Sequence, residues 1–234
     1  MNGKTPWLLQ FSGLEGGYGD TVVLRGVDGG VRAGQVLGVL GRNGVGKTTL
    51  MRLLTGGLRP FSGEVAWQGK ALEQLAPFKR SRLGLAYSPQ EGVVFDELSV
   101  SDNLLLHLES RDMSRYAPYL EAFPRLRERL RQRAGTLSGG EKKLLAFVRV
   151  LAEGKPLSLL DEPTEGVQQE NIDLMAQFVR RRVEQGAAFI VVEQNLGFLQ
   201  QVMDTLLVLD HGRCVAQGEA GEFDRARLAG FLHI

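Results

Sequence analysis

The stretch Gly41-Arg42-Asn43-Gly44-Val45-Gly46-Lys47-Thr48-Thr49 has the residue types and spacing to hold a chain of phosphates. It follows the apolar run Val36–Leu40 and precedes Leu50-Met51-Arg52-Leu53-Leu54. The prediction is strand, glycine loop, helix, which is the context a G-x-x-x-x-G-K-T match requires. Glycines let consecutive backbone N–H groups turn inward around phosphate oxygens. The start of the helix adds unpaired N–H groups and partial positive charge. Lys47 can reach the β- and γ-phosphates, and the Thr48 hydroxyl can ligate magnesium. A plain glycine-rich turn is the alternative, and the agreement of pattern with context argues against it.

Two further stretches can do chemistry. Leu157-Ser158-Leu159-Leu160-Asp161-Glu162 places two carboxylates at the carboxyl end of a predicted buried strand, where ligands bind in open α/β sheets. Asp161 suits holding magnesium, and Glu162 suits orienting and deprotonating a water. Pro163 then ends the strand ladder. Leu137-Ser138-Gly139-Gly140-Glu141 opens a helix predicted to run to about Ala152, with Ser138 and Glu141 spaced as a capping box. Two glycines in a first turn destabilise a helix by roughly 1 kcal/mol each against alanine, which a cap alone does not require. Small residues there let a phosphate approach the N–H groups, so this is a candidate second phosphate-contacting helix end. Tyr18, set among glycines before the phosphate loop, can stack on a base or stand as an ordinary exposed turn tyrosine.

The elements that must position these groups follow from the patterning. Trp7–Phe11 and Thr21–Val27 read as strands around a turn-rich Glu15–Asp20. Gly56-Gly57 ends the phosphate helix, and Glu64–Gln68 and Leu83–Tyr87 read as further strands. From Glu97 to about Gly154 the helical period dominates, through Leu104, Leu105 and Leu108 and then Leu120, Phe123, Leu126 and Leu130. Arg125, Arg127, Arg129, Arg131 and Arg133 read as a solvated helix face rather than a nucleic-acid contact. Strand signals return at Leu157–Leu160, Ala187–Val192, Thr205–Leu209 and Cys214–Gln217, with a helix at Asn171–Glu184 and a short last helix in Glu222–Ile234. Strands alternating with helices imply an α/β domain with a mainly parallel sheet covered on both faces. Residues 1–90 and 155–234 are expected to form the nucleotide-binding core, with 91–154 as an inserted helical subdomain.

Bulk properties set outer bounds. With 234 residues, 43% hydrophobic and 24% charged, the chain fits one large globular domain. A net charge of +1 argues neither for nor against a nucleic-acid or membrane-surface partner. No apolar run approaches the roughly 18–20 residues of a membrane span, and the N-terminal apolar run is too short for a secretion signal. One cysteine, Cys214, excludes an internal disulfide and fits a reducing compartment, so the cytoplasm is the expected address. His107, His211 and His233 read as surface or turn residues rather than ligands.

Taken in order, Tyr18, Gly41–Thr49, Gln90, Leu137–Glu141, Leu160–Pro163 and Glu193-Gln194 resemble the nucleotide-binding subunit of ATP-binding-cassette transporters over nearly the whole chain. The Leu-Ser-Gly-Gly stretch is more specific to that family than the phosphate loop. The resemblance implies a P-loop nucleotide-hydrolase core with an N-terminal antiparallel β subdomain and the inserted helical subdomain. It implies ATP held by Tyr18 on adenine and by Gly41, Asn43, Gly44, Gly46, Lys47, Thr48 and Thr49. Ser138, Gly139 and Gly140 of a second copy would complete that site, closing the pair head-to-tail. Thr48, Gln90 and Asp161 would hold Mg2+, and Glu162, Gln194 and Gln90 would serve hydrolysis. The implied partners are transmembrane permease subunits, reached near Glu91–Leu98, a second cassette and, indirectly, a solute-binding protein, on the inner face of the cell membrane.

Tyr87-Ser88-Pro89-Gln90, Gly41–Gly46 and Asp161–Gln168 look like the subgroup that imports branched-chain amino acids, amides and urea; Gly41–Gly46 and Asp161–Gln168 lean toward its urea-type members, and Val192–Asn195 also suits the subgroup. Gln194 stands where most of the wider family has histidine. It keeps an amide donor but cannot take a proton. Glu141-Lys142-Lys143 replaces the usual glutamine-rich continuation, and Ser158 interrupts the apolar strand. The alternatives are a cassette ATPase of DNA repair or translation, a nucleotide-binding regulator that does not hydrolyse, and an exporter in place of an importer. A single phosphate loop without a long heptad array disfavours the first, and Glu162 beside Asp161 disfavours the second.

Overall fold

The structure is a computed structural model that describes residues 6–108 and 111–233. The Met1–Thr5 part of the N-terminal reading, Ile234 and the side chain of His233 lie outside the described residues. The chain opens with a long hairpin, β1 (Trp7–Tyr18) and β2 (Thr21–Arg32), antiparallel and turning at Gly19-Asp20. The turn-rich reading of Glu15–Asp20 is corrected here. Glu15–Tyr18 stays in β1, pairing Gly16 with Leu24 and Tyr18 with Thr21 through several register shifts. Sheet pairing absorbs the glycines as bulges instead of ending the strand. Next come β3 (Val36–Leu40), α1 (Lys47–Thr55), β4 (Ser62–Trp67) and β5 (Lys70–Ala71). Sheet one has the order β2-β1-β4-β5.

Two boundaries differ from expectation. Gln68 leaves β4 in the left-handed backbone region at φ 49, so the strand ends at Trp67. Leu83 closes a helix, α2 (Pro77–Leu83), begun by a proline in its first turn, and β6 (Leu85–Ser88) starts after Gly84. The helical stretch then breaks into α3 (Val100–Leu105), α4 (Ala117–Ala122), α5 (Pro124–Glu128) and α6 (Gly139–Ala152). The spacing of Leu120, Phe123, Leu126 and Leu130 suggests one helix, but Pro124 lacks the N–H to continue it. The five arginines therefore do not share a helix face: α5 ends at Glu128, and Arg129 and Arg133 pair with Glu141 and Glu97 at 3.0 and 3.3 Å.

The remainder is β7 (Leu157–Asp161), α7 (Gln169–Glu184), β8 (Ala188–Glu193), α8 (Leu196–Val202), β9 (Thr205–Asp210), β10 (Arg213–Glu219) and α9 (Arg225–His233). Sheet two runs β10-β9-β3-β8-β7-β6, parallel throughout except for β10. Every residue of β3, β7 and β8 is buried, as a sheet covered on both faces requires. Alternate residues feed two cores. Leu37, Val39, Leu159, Ile190 and Val192 pack toward α1 and the antiparallel sheet. Val36, Leu40, Leu160, Phe189 and Val191 pack with residues of α6, α7 and α8 such as Phe147, Met175 and Phe198.

The phosphate helix is closed by a buried cation. Gly56 caps α1 in the left-handed conformation, donating to the Leu53 carbonyl. Arg80 of α2, 1% exposed, donates from Nη1 to the Leu53 and Leu54 carbonyls at 2.9 and 2.8 Å. Its Nε and Nη2 reach the Leu75 and Leu72 carbonyls at 3.0 and 2.8 Å. Burial lowers the guanidinium pKa, and the Glu73 carboxylate opposes that shift. Arg80→Met is expected to destabilise the fold by about 3 kcal/mol, because four buried carbonyls lose their donor. Urea unfolding read by circular dichroism checks this, with an unchanged midpoint as the contrary result.

Candidate functional site

Parallel pairing places Leu40 beside Glu193, Val192 beside Asp161, and Leu160 beside Ser88. The carboxyl ends of β3, β8, β7 and β6 thus form one edge, and the chemistry-bearing loops all leave from it. Ligands of open α/β sheets bind at such an edge.

Gly46 is the N-cap of α1 at φ 111, in backbone space that a side chain would strain. No side chain caps this end and no acid lies in the first turn, so the helix presents its N–H groups and positive dipole openly. Lys47 begins the helix at 5% exposure. Its ammonium donates to the Gly41 and Arg42 carbonyls, both at 2.9 Å, and pairs with Glu162 Oε1 at 3.2 Å. Thr49 is buried at 4% exposure, whereas Thr48 is half-buried at the mouth of the cleft.

Glu162 is the point where the loops meet. Its Oε2 accepts from Gln90 Nε2 at 2.8 Å, and its Oε1 accepts from Gln194 Nε2 at 3.1 Å. Gln194 Nε2 also donates to Asn43 Oδ1 of the phosphate loop at 2.6 Å. One ammonium and two amides therefore surround a single carboxylate. Its backbone lies in the left-handed region at φ 48, uncommon for a residue with a side chain. A carboxylate held there by donors can orient a water and take its proton.

Asp161, next along the edge, is 1% exposed. Burial pushes its carboxyl above the usual carboxylate range, and a hydrogen bond with the Thr48 side chain offsets part of that. Tyr87 donates to Oδ2 at 3.4 Å, and burial together with Asp161 pushes the tyrosine hydroxyl up. Among the described residues Oδ1 is buried with no hydrogen-bond partner. An orphaned anionic oxygen beside a hydroxyl fits a hard cation, so Thr48 and Asp161 are suited to Mg2+. No cluster of three or more His, Cys, Asp or Glu suited to a metal occurs among the described residues.

Tyr18 ends β1, 43% exposed, and borders a cleft of about 280 Å³ with Gly44, Lys47, Thr48, Gln90 and Glu162. Its ring also lies 5.8 Å from the Arg52 guanidinium. The other site glycines, Gly41 and Gly44, shape the loop around Lys47. Ser138, Gly139 and Gly140 are elsewhere. They start α6, and Ser138 and Gly140 line a different cavity of about 390 Å³ with Phe123, Leu126 and Gly166. The capping box is present: Ser138 Oγ accepts from Glu141 N at 3.3 Å, while Glu141 Oε2 accepts from Ser138 N at 3.0 Å. Gly140 has a packing reason of its own, since a Cβ would fall 2.1 Å from the Gly166 carbonyl; a Cβ on Gly139 would meet open space. Of the histidines, His107 lies 3.4 Å from the Tyr116 hydroxyl and His211 is an exposed turn residue.

Two contributors escape sequence reasoning. Glu193, 3% exposed, accepts from Thr164 N, Thr164 Oγ1, Gln194 N and Asn195 N at 2.9, 2.6, 2.9 and 3.0 Å. It ties the turn after Glu162 to the turn carrying Gln194, while burial pushes its carboxyl up. Lys143, 8% exposed, reaches the Gln90 and Glu162 carbonyls at 2.7 and 3.0 Å. A signal existed for the lysine: it falls four residues before Phe147 and seven before Val150, on the buried face of α6.

The ABC transporter family profile matches residues 24–165, more than half of the chain. The chain belongs to the ABC transporter family. The cassette is 34% identical over 212 residues to the high-affinity branched-chain amino acid transport ATP-binding protein BraG of Pseudomonas aeruginosa, covering 89% of this chain and 91% of the relative. It is 32% identical over 220 residues to the probable branched-chain amino acid transport ATP-binding protein LivF of Archaeoglobus fulgidus, covering 92% and 93%. Nod factor export ATP-binding protein I of Burkholderia orbicola is 31% identical over 216 residues, covering 90% of this chain and 70% of the relative. A solved ATP-binding cassette of an ABC transporter superposes with a TM-score of 0.82 at 26% identity, covering 96% of both chains. The cassette is thus a nucleotide-binding, ATP-hydrolysing transporter subunit, and among the described residues no helix is long and apolar enough to cross a membrane.

The two signature glycines should separate on substitution. Gly140→Ala is expected to lower stability by about 1–3 kcal/mol through overpacking, with or without nucleotide, whereas Gly139→Ala shifts it by less than about 1 kcal/mol. Thermal unfolding of the two variants side by side reads the difference. Equal losses would contradict the contact with Gly166.

Proposed function

We propose that this cassette powers an importer of branched-chain or other hydrophobic amino acids, amides or urea, as one of two cassettes on a transmembrane permease pair. The similarity to BraG and LivF supports the solute class, because both matches cover nine-tenths of the relative whereas the Nod factor exporter is covered over 70%. The observation that carries the mechanism is the ring of Lys47, Gln90 and Gln194 around Glu162.

The phosphates of ATP would occupy the open end of α1, with adenine against Tyr18. A γ-phosphate competes with the Glu162 carboxylate for Lys47, which would turn that ion pair into a lysine–phosphate contact and free one carboxylate oxygen. Gln90 and Gln194 keep the carboxylate in place as the attacking water's proton passes to it. The water oxygen bonds to the γ-phosphorus, the bond to the β,γ-bridging oxygen breaks, and ADP leaves with inorganic phosphate. Thr48 and Asp161, with Gln90 near them, would hold Mg2+, which supplies charge neutralisation on the phosphates.

Ser138 and Gly140 line a cavity apart from the phosphate loop, and this separation supports a second cassette closing head-to-tail, each copy offering its α6 end to the other's γ-phosphate. Phe78, 58% exposed, lines a groove of about 760 Å³ with Gln90 and Glu91, a face suited to the permease. On this reading residues 91–154 form a subdomain carrying the permease contact and the α6 end, set against a core of 1–90 and 155–234. The address would be the cytoplasmic face of the membrane, with a solute-binding protein as indirect partner.

Glu162→Gln is expected to retain nucleotide binding while turnover falls at least about 100-fold, the scale of a lost general base. Phosphate release with fluorescent-nucleotide titration checks this, and undiminished hydrolysis would remove Glu162 from the mechanism. Lys47→Ala should lose nucleotide affinity in the same titration. Gln194→His should keep hydrolysing, since both side chains donate a hydrogen bond; a complete loss would show a site built around the amide.

A further inference from the structure

Lys143 is a buried cation outside the ring around Glu162, and it touches the site only through backbone. From the second turn of α6 its Nζ donates to the carbonyl of Gln90 at 2.7 Å and to the carbonyl of Glu162 at 3.0 Å. It also pairs with Glu165 Oε2 at 3.7 Å. One ammonium, with three donors to share, thus joins the helix begun by Ser138 to the loops that carry Gln90 and Glu162. A desolvated lysine is destabilising unless its partners are well placed, and a simple apolar residue would pack α6 against the sheet without that penalty.

What the ammonium holds is a strained peptide. Glu162 sits at φ 48, and its backbone is fixed from both sides: the N–H donates to the Val192 carbonyl at 2.9 Å, and the C=O accepts from Lys143. Gln90 is fixed in the same way, its carbonyl on Lys143 and its amide on the Glu162 carboxylate. Without the ammonium, the Glu162 carbonyl loses a charged donor and the left-handed backbone loses one of its two restraints. A displacement of the carboxylate by an ångström is enough to misplace the attacking water.

We propose that Lys143 is a positioning residue for hydrolysis, tying the location of α6 to the orientation of Glu162 and Gln90. The proposal rests on the water-activating role given above to Glu162. It makes the α6 end more than a phosphate contact. Any shift of α6 when a second cassette closes on it is transmitted through Lys143 to the carboxylate of the same chain, so hydrolysis follows closure.

The test uses the full chain with Lys143→Met, which keeps the length without the charge, and Lys143→Gln, which keeps two N–H donors. In Lys143→Met, kcat is expected to fall between about tenfold and a hundredfold, with KM for ATP and the nucleotide Kd within about twofold of the parent protein. Lys143→Gln should recover part of that loss, and serves alone where the methionine variant does not fold. Adding Lys143→Met to Glu162→Gln should produce no further fall in the residual turnover, because both act through one carboxylate. Full activity in Lys143→Met beside an inactive Glu162→Gln would overturn the positioning role and leave Glu162 in place. Loss of kcat, nucleotide affinity and melting temperature together would show a merely structural lysine. Full activity in Glu162→Gln would instead remove the reading on which the proposal stands.

Discussion

The constraint on which the rest depends is the parallel register of β3, β8 and β7. Leu40 lies beside Glu193, and Val192 beside Asp161, so three strands end in a row and their loops leave from one edge. That register is fixed far from the edge, by hydrophobic burial. Leu37, Val39, Ile190 and Val192 face one core, and Val36, Leu40, Phe189 and Val191 face the other. A one-residue slip would exchange the two sets and move every carboxylate by one position to the opposite face. The geometry around Glu162 is therefore a consequence of apolar packing, and the polar contacts act within a frame already set.

Within that frame the buried ions are each answered differently. Lys47 is answered by two carbonyls and a carboxylate, Arg80 by four carbonyls, and Glu193 by three backbone N–H groups and a hydroxyl. Arg80 and Glu193 have partners that belong to one fixed neighbourhood, as struts should. Lys47 shares its charge with Glu162, a partner a phosphate can replace. Asp161 keeps one buried oxygen without a partner among the described residues. Lys47 and Asp161, the two with an exchangeable or unanswered contact, stand together at the sheet edge, where a binding site needs groups free to take a new partner.

The sequence made the local parts of this legible. The apolar runs of β3, β7 and β8, the glycine loop, the Gly56 stop and the Ser138–Glu141 capping box all depend on near neighbours, and all are found. What escaped depends on distant partners. Glu15–Tyr18 carries turn residues, yet pairing with β2 keeps it in a strand. The helical period crosses Pro124 unbroken on paper, but the missing N–H divides it. Gly140 suggests a phosphate contact by its smallness alone, whereas the Gly166 carbonyl already requires that smallness. Lys143 stood out only as a departure from a glutamine-rich pattern, and its partners lie 53 and 19 residues away.

The two helix ends read alike in sequence, as glycine-rich starts open to a phosphate, but physically they are unlike. At α1 the N-cap is Gly46, without a capping side chain or an acid in the first turn. At α6 the end is already occupied by an internal anion, since Glu141 Oε2 takes the Ser138 N–H, the Ser138 hydroxyl and the Arg129 guanidinium. Only the first-turn amides, Gly139 and Gly140 among them, have no intrahelical acceptor there. On the proposed pairing, a phosphate brought by a second cassette would meet a carboxylate already neutralised in part by Arg129, and would have to draw Ser138 away from Glu141. The α1 end is built to hold phosphate by itself; the α6 end can add to that hold only against its own cap. Such an end is suited to engage last and release first, which places the reversible step of the proposed cycle at α6 and the durable one at Lys47.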